Sequence, residues 1–259
     1  MLSTSDLTFI EKKGITAEMI DAQLKRFEVG FPFLKINAVA TIGNGIKAFS
    51  PEETAACVKA WSDFQQTGKA IEKFVPASGA ASRMFKNMFA FASSGKDAPT
   101  TDFEKEYFEN ITKFAFYADL NNACRKLYRS NVQELMSAGR YVDVVKAMLE
   151  PEGLNYGFLP KALLKFHKTT GGNAHTPLEE HLEEGAQYAA DKNRKVNLHF
   201  TVSPEHKAEF EKLLTAKLPI YEQVWGVKYN VTMSEQKSST DNIDVKMDNT
   251  PYHEPKSEQ

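Results

Sequence analysis

The sequence contains few cysteines, no long apolar run and almost no net charge, and each absence excludes a class of protein. Its 2 cysteines, Cys57 and Cys124, are too few for the disulfide framework of a small secreted protein or for a zinc site of cysteines alone. No window approaches the roughly 20 apolar residues of a membrane-spanning helix. The first residues lack the basic and apolar regions of a secretory signal. We therefore expect a cytoplasmic protein without a membrane partner, in which both thiols stay reduced.

The charges nearly cancel, because 32 Lys and Arg stand against 34 Asp and Glu, for a net charge of -2. Proteins that bind nucleic acid through bulk charge are strongly basic, so we expect no nucleic acid among the partners. Any binding of phosphate must then come from a local group of residues. The 259 residues, of which 42% are hydrophobic, have the composition of a globular chain with one large domain or two small ones.

Short strands separated by helices predict an α/β protein with a parallel sheet. Strand patterns occur at residues 70–75, 196–202 and 227–233, and residues 243–246 offer one more candidate. Residues 102–168 form a long helical insertion, in which the last helix is expected at 160–167. The sequence thus divides into an N-terminal helical region (1–69), a nucleotide-binding α/β part (70–233) that contains the insertion, and a polar C-terminal segment (234–259).

Capping signals predict where several helices begin and end. Thr16 is a candidate N-cap for a helix that ends at Gly30. Ser50-Pro51-Glu52-Glu53 combines a capping box with a proline at the first helical position. The helix that follows is expected to bury Val58, Trp61 and Phe64. Thr176-Pro177-Leu178-Glu179 repeats this pattern before a helix with one apolar face.

The last of these helices also carries histidines and carboxylates, namely His175, Glu179, Glu180, His181 and Glu184. Imidazole and carboxylate are metal ligands, but these side chains lie at the edge of an apolar stripe, where a solvated, salt-bridged face is the simpler interpretation. We therefore predict no metal site there. Cys124 fits the apolar stripe of its own helix and is predicted to be a core residue.

The segment that most suggests chemistry follows the strand at 70–75 and opens a helix. Its connection consists of small residues: Ser78, Gly79, Ala80, Ala81 and Ser82. Small residues let main-chain N–H groups approach phosphate oxygens, and the N-terminus of a helix favours negative charge. Arg83 and Lys86 lie three residues apart, so we expect both cations on one helix face, where they could hold a polyphosphate.

A second interpretation of this segment is structural: the small residues permit close packing of strand on helix, and both cations face water. The segment is not a P-loop, because the Gly-Lys-Ser/Thr ending is absent. It is not the dinucleotide-binding fingerprint either, because that motif needs three glycines and this loop has only Gly79. The pattern alone leaves both interpretations open.

Residues 77–84, Ala-Ser-Gly-Ala-Ala-Ser-Arg-Met, resemble the signature loop of the nucleotide-diphospho-sugar transferase fold. In sugar-nucleotide pyrophosphorylases that loop reads Ala-Gly-Gly-x-Gly-Thr-Arg-Leu/Met. Nearly the whole chain is similar to a bacterial family known only as a domain of unknown function and grouped with these transferases. The segments that carry this resemblance are residues 30–34, 74–86, 176–182, 199–206 and 234–241.

The resemblance implies a nucleotide-diphospho-sugar-transferase-like (Rossmann-like) mixed sheet with a large helical insertion, incomplete at the C-terminus. It implies a nucleotidyltransferase that joins a sugar 1-phosphate to a nucleoside triphosphate and releases pyrophosphate, with Mg²⁺ as cofactor. Arg83 and Lys86 would be its catalytic cations, the loop from Ser78 to Ser82 would bind phosphate, and Gln236 and Lys237 would contribute to the sugar-nucleotide site. Ser78 and Ala81 depart from the transferase pattern, which has glycine at both positions.

Two other functions stay open at this point. A nucleotide- or phosphate-binding protein without catalysis is favoured by the missing glycines of the loop. A mostly helical interaction protein is favoured by residues 102–168, whose aromatic residues from 103 to 117 fit a core or an interface. The resemblance also implies the first part of a larger catalytic domain, since a glycine-rich sugar-side segment and an acidic magnesium ligand would follow residue 259.

Overall fold

A computed structural model describes residues 3–30, 33, 35–169 and 171–237. Lys59–Glu235 forms the larger of two compact units, and the described residues before and after it belong to the smaller. About half of the described residues are helical, and the sheets are small. The general prediction of a mixed α/β protein is confirmed. Among the helices in the described ranges, none is long and apolar enough to cross a membrane.

The smaller unit begins with two capped helices. Thr16 caps the second helix by accepting a hydrogen bond from the Met19 N–H at 3.3 Å, and this helix ends before Gly30. The prediction of both ends is confirmed. The elements in this part of the chain are α1 (Thr4–Lys12), α2 (Ala17–Val29), β1 (Thr41–Ile42) and β2 (Gly45–Ile46), and the buried residues between the helices are Ile10, Ile15 and Ile20.

The next helix, α3 (Pro51–Gln65), begins at the predicted capping box but does not bury the predicted face. The Ser50 N–H donates to Glu53 at 3.0 Å, and the Glu53 N–H donates to the Ser50 hydroxyl at 3.2 Å. Val58 is 63% exposed and Trp61 is 41% exposed, so the prediction of their burial is wrong. An apolar stripe can be read from spacing, but its burial depends on a neighbour that spacing does not reveal.

Short helices with an aromatic core form a helical layer in the larger unit. Its fully buried side chains include Phe91, Leu120, Leu135, Val144 and Met148. Cys124 lies in this core, as predicted, and burial raises the pKa of its thiol to about 11. The helices of the layer are α4 (Lys86–Ser93), α5 (Asp102–Glu109), α6 (Tyr117–Tyr128), α7 (Val132–Ser137) and α8 (Tyr141–Leu149).

The predicted helix at residues 160–167 does not form. A single 3₁₀ turn, Lys161–Leu163, is followed by β4 (His167–Lys168), which pairs antiparallel with β5 (Ala174–His175). The reason is a tertiary contact, because the Lys161 N–H donates to the Gly79 carbonyl at 3.0 Å and Pro160 pairs with Ala80. These contacts hold the segment in an extended path.

The main sheet contains β3 (Glu72–Pro76), β6 (Lys195–Val202) and β7 (Lys228–Glu235), in the order β3-β6-β7. All three described strands run parallel, with Pro76 opposite Thr201 and Thr201 opposite Ser234. One face packs on α9 (Pro177–Tyr188) and α10 (Lys207–Trp225), and the buried residues of this contact include Leu178, Leu182, Val196, Leu198, Phe200, Phe210 and Leu214. The further strand predicted at 243–246 lies outside the described residues.

The other face of the sheet is polar and largely exposed. The Phe74 ring stacks on the His199 ring with a centroid distance of 5.3 Å. Both nitrogens of His199 are engaged, with Nδ1 2.7 Å from the Thr232 hydroxyl and Nε2 2.8 Å from the Ser234 hydroxyl. On this face, cross-strand contacts order the side chains, and the described residues place no apolar layer over them.

Candidate functional site

The carboxyl ends of β3 and β6 place two segments side by side. The loop from Ala77 to Arg83 follows β3, and Ser203 follows β6. The Ala77 N–H donates to the Thr201 carbonyl at 2.8 Å, so the strand pairing extends into the start of the loop. Ligands of open parallel sheets bind at the carboxyl ends of the strands, which makes this edge the candidate site.

Two anchors hold the loop on the sheet edge. Its middle is tied to the segment after the helical layer by the bond from the Lys161 N–H to the Gly79 carbonyl. Its end is a tight turn, in which the Ala81 carbonyl accepts the N–H of Met84 at 2.9 Å and of Phe85 at 3.3 Å. Ala81 and Phe85 are both buried in the core of the helical layer. The backbone of the loop is thus held on both sides.

The turn changes the predicted geometry of the two cations. α4 begins only at Lys86, so Arg83 lies in the turn and the two residues do not share a helix face. Phe85 is the N-cap and makes no capping hydrogen bond with its side chain. Burial of the Phe85 ring holds the backbone in the turn and delays the helix. The small residues consequently lead into the turn, with Ser82 inside it, and they do not form the helix N-terminus.

The outer side of the loop is open. In the described part of the chain, no main-chain hydrogen bond uses the N–H of Gly79, Ser82 or Arg83 as its donor. A Cβ atom added to Gly79 would meet no atom within 4 Å, so neither packing nor backbone conformation requires glycine there. Unpaired N–H groups in an open loop are the donors that a phosphate or another anion can engage.

Arg83 and Lys86 are the cations of this loop. Both side chains are exposed, and neither forms an ion pair or a hydrogen bond with another described residue. Ser82 is exposed beside them, and Ser78 is partly buried. The structure therefore brings two uncompensated positive charges to the turn between the loop and α4.

Ser203 belongs to the segment 199–206 that carries the family resemblance, although the sequence alone assigned it no role. Its hydroxyl oxygen is buried at the end of the central strand β6 and has no hydrogen-bond partner among the described residues. A buried hydroxyl without a partner costs free energy, so such groups are rare in folded proteins. The pattern Ser203-Pro204 predicts a helix start, and it gives no signal that the hydroxyl stays unpaired. A ligand or a water molecule at the sheet edge would satisfy it.

An aromatic pocket of about 570 Å³ adjoins the turn. Met84 and Phe85, the residues that follow Arg83, form one wall. Its volume lies in the range of about 300–1,000 Å³ that is typical of small-molecule sites. The remaining lining residues are Met88, Phe103, Glu106, Tyr107, Asn110, Phe114, Phe116 and Phe166. The aromatic residues between 103 and 117 were expected in a core or an interface, and several of them line this cavity.

Gln236 and Lys237, the other predicted site residues, follow directly after β7 and belong to the smaller unit. Glu235 ends β7 and forms an ion pair with Lys207 at 2.8 Å. In the ranges that the structure describes, no group of three or more His, Cys, Asp or Glu side chains is placed to hold a metal ion. Gln236 and Lys237 carry an amide and an ammonium, so neither supplies a carboxylate for the magnesium ion that the resemblance implies.

The prediction of a solvated, salt-bridged face at the start of α9 is right about the ion pairs and wrong about the solvation of Glu179 and His175. Glu179 is only 3% exposed, and its carboxylate accepts hydrogen bonds from Lys217 at 2.7 Å and from the Thr176 N–H at 2.9 Å. Burial raises the pKa of Glu179, but the hydrogen bonds from Lys217 and Thr176 outweigh it, so the pKa is lowered. His175 is 6% exposed and pairs with Glu180. Sequence spacing could not show Lys217, which comes from α10.

The later residues of this group brace the sheet against α9. The His181 Nδ1 lies 3.1 Å from the Glu184 carboxylate, and burial lowers the pKa of His181. Glu184 also pairs with Lys73 of β3, whose ammonium lies 2.5 Å from the Tyr188 hydroxyl. Each charge in this brace has a partner, which indicates a structural role.

The family model described as "Domain of unknown function (DUF4301)" matches residues 3–258 of the chain. No curated protein and no solved structure matches the chain.

Proposed function

We propose that this chain, which belongs to the DUF4301 family of domains of unknown function, grips the phosphates of a nucleoside triphosphate at its β3 loop and acts as a nucleotidyltransferase. The observation that carries the proposal is a pair of exposed cations, Arg83 and Lys86, which form no ion pair with another described residue. They lie beside a loop in which Gly79 and Ser82 donate no main-chain hydrogen bond within the described part of the chain. Charged donors bind phosphate oxygens more strongly than neutral donors do, and a guanidinium can bind two of them.

The aromatic pocket supports a nucleotide over inorganic phosphate. Its wall includes Met84 and Phe85, so a ligand held by Arg83 has an apolar cavity next to its charged end. A planar base can stack on aromatic side chains, and such stacking is worth about 1–3 kcal/mol per base. A ligand with several phosphates at one end and a flat ring at the other matches both parts of the site.

The proposed reaction joins a sugar 1-phosphate to the nucleotide. An oxygen of the sugar phosphate attacks the α-phosphorus, the bond from that phosphorus to the bridging oxygen breaks, and pyrophosphate leaves with the electron pair. The attacking oxygen is already ionised, so the reaction depends on positioning and charge neutralisation. Arg83 would neutralise the departing pyrophosphate. A Mg²⁺ ion that arrives with the nucleotide is held mainly by phosphate oxygens and water. The nucleotidyltransferase reaction is supported by the likeness of residues 77–84 to the loop of sugar-nucleotide pyrophosphorylases.

Binding is tested by thermal unfolding of the full chain with a panel of nucleoside triphosphates, each with and without Mg²⁺. We expect a stabilising nucleotide, and we expect Arg83→Ala to weaken its binding by roughly 10- to 100-fold, because a hydrogen bond to a charged group contributes about 1.5–3 kcal/mol. Arg125→Ala is the matched control, since Arg125 is an exposed arginine of α6. Equal stabilisation of Arg83→Ala and the wild type would show that the loop is not the phosphate grip.

A binding protein without catalysis is the second candidate. It is favoured by Ser78 and Ala81 of the loop, which stand where the transferase pattern has glycine. Release of pyrophosphate from the bound nucleotide, measured with a panel of sugar 1-phosphates, separates the two candidates. A nucleotide that binds through Arg83 but never releases pyrophosphate would support the binding protein.

A further inference from the structure

A second group of polar residues surrounds the hairpin of β4 and β5. His167 and His175 are opposite each other in this hairpin, and their rings lie 6.2 Å apart. Glu180, in the first part of α9, reaches both rings. Tyr221 of α10 approaches from the other side. Four side chains from three parts of the chain thus converge outside the phosphate loop.

The contacts form a continuous line from the interior to the surface. The Tyr221 hydroxyl lies 3.3 Å from the His175 Nδ1, and the His175 Nε2 pairs with an oxygen of Glu180. The same oxygen lies 3.5 Å from the His167 Nδ1. The side chains become more exposed along this line, from 8% for His175 to 29% for Glu180 and 45% for His167. Among the described residues, the Nε2 of His167 contacts no partner, whereas both ring nitrogens of His175 are engaged.

The positions of the protons follow from these partners. Burial, together with the nearby charge of Glu179, raises the pKa of Tyr221, so its hydroxyl stays protonated and donates to His175. His175 then carries its own proton on Nε2, the nitrogen that contacts the Glu180 carboxylate. The Glu180 carboxylate oxygen lies 3.5 Å from the His167 Nδ1, and this contact favours the tautomer with its proton on Nδ1 and a lone pair on Nε2. A carboxylate that fixes a histidine in this tautomer is the arrangement that prepares an imidazole to accept a proton.

We infer that His167 and Glu180 form a general-base dyad that takes a proton from a hydroxyl group of a bound ligand. The O–H bond of the ligand breaks, the proton goes to Nε2 of His167, and the electron pair stays on the ligand oxygen. Glu180 stabilises the resulting imidazolium through the Nδ1–H. His175 and Tyr221 are positioning residues, because His175 contacts Glu180 and Tyr221 holds the His175 ring.

The nucleotidyl transfer proposed above uses an ionised phosphate oxygen as the nucleophile and therefore needs no general base. The dyad would add a second activity, the deprotonation of a hydroxyl group. The Lys161 N–H is bonded to Gly79, and His167 follows Lys161 by six residues. An extended chain of that length spans about 20 Å, so the dyad lies within that distance of the phosphate loop's anchor. The ligand it fits is a hydroxylated molecule, and its identification as a sugar phosphate rests on the proposed function. The dyad itself does not depend on nucleotide binding.

The test uses diethyl pyrocarbonate on the full chain, with mass spectrometry to follow each histidine. The lone pair of a histidine nitrogen attacks a carbonyl carbon of the reagent, ethyl carbonate leaves, and the other ring nitrogen gives up its proton. We expect His167 to react faster than His206, and faster than His199, whose nitrogens are both engaged. Glu180→Gln should slow His167 by about tenfold, as loss of an orienting carboxylate typically does. Glu180→Asp should restore part of the rate.

The rate of His206 serves as the internal control, because a folded variant should leave it unchanged. A second measurement needs no variant: nitrogen NMR of the wild type reports which ring nitrogen of neutral His167 is protonated. We expect the Nδ1–H form. The dyad is refuted if His167 carries its proton on Nε2, or if Glu180→Gln leaves its reaction rate unchanged. Neither result bears on Arg83, so the proposed nucleotide site would stand or fall separately.

Discussion

Lys217 of α10 forms an ion pair with Glu179 of α9, whose carboxylate is almost completely buried. Replacing Lys217 by methionine therefore tests how much this ion pair stabilises the packing of α10 on α9. Methionine keeps most of the apolar stem of Lys217 and removes the ammonium. Glu179 would retain the bonds from the Thr176 N–H at 2.9 Å and from its hydroxyl at 3.1 Å. It would lose the Lys217 ammonium at 2.7 Å.

The size of the effect follows from burial. Removing one partner of a buried ion pair costs about 3–5 kcal/mol. The Lys217 side chain is 35% exposed, and two bonds from Thr176 remain, so we expect a smaller loss of about 2–3 kcal/mol in the free energy of unfolding. For a chain of this size that corresponds to a fall in Tm of about 5–10 °C.

The loss should also depend on pH. In the wild type the pKa of Glu179 is lowered, so its contribution is present above the unfolded value of about 4.3 and declines as the pH falls through the folded value. In Lys217→Met burial dominates and raises the pKa of Glu179. Protonation then removes the uncompensated charge, so the difference between variant and wild type should shrink as the pH falls from 7 toward 4.

Urea unfolding of the full chain at both ends of that pH range measures these effects. Lys212→Met, an exposed lysine of the same helix, is the matched control and should change the free energy of unfolding by less than about 0.5 kcal/mol. Adding Glu179→Gln to Lys217→Met should recover part of the loss. A loss below about 0.5 kcal/mol for Lys217→Met, or an equal loss at both pH values, would refute the reasoning.

Two further predictions concern the helical layer. A Cβ atom at Gly153 would lie 2.0 Å from the Ala147 carbonyl oxygen. Gly153→Ala should therefore lower the free energy of unfolding, measured by urea titration, by about 3 kcal/mol. Gly79→Ala is the control and should leave the free energy of unfolding unchanged, because a Cβ atom there meets no atom within 4 Å. The Thr101 and Thr100 N–H groups lower the pKa of Glu104 to about 2. Glu104→Gln should therefore cost about 1 kcal/mol at pH 7 and less as the pH falls toward 2, measured in the same way.

The sequence was informative where structure depends on neighbours along the chain. Thr16 and Ser50 cap helices because capping needs only the next three residues. The alternation of residues 196–202 marks the central strand, which buries every second side chain. These features are local, and they were predicted correctly.

The errors occurred where a distant residue decides the outcome. The start of α4 moved to Lys86 because Phe85 is buried among residues far along the chain. Glu179 was expected in solvent because its partner, Lys217, comes from another helix. The same holds for the candidate sites: the loop could be found by its small residues, but the pocket beside it and the His167–Glu180 contact are made only by the folded chain.

The pairing of Ala80 with Pro160 has a consequence for the order of folding. This pairing brings the chain back to the loop that follows β3, and the helical layer between the two residues has a core of its own, made of residues from Ala81 to Leu164. If this layer folds first, the stretch that must be closed to pair β3 with β6 shortens by more than half. Each halving lowers the loop-closure entropy cost by about 0.6 kcal/mol. The layer is thus expected to form early and to guide the assembly of the parallel sheet.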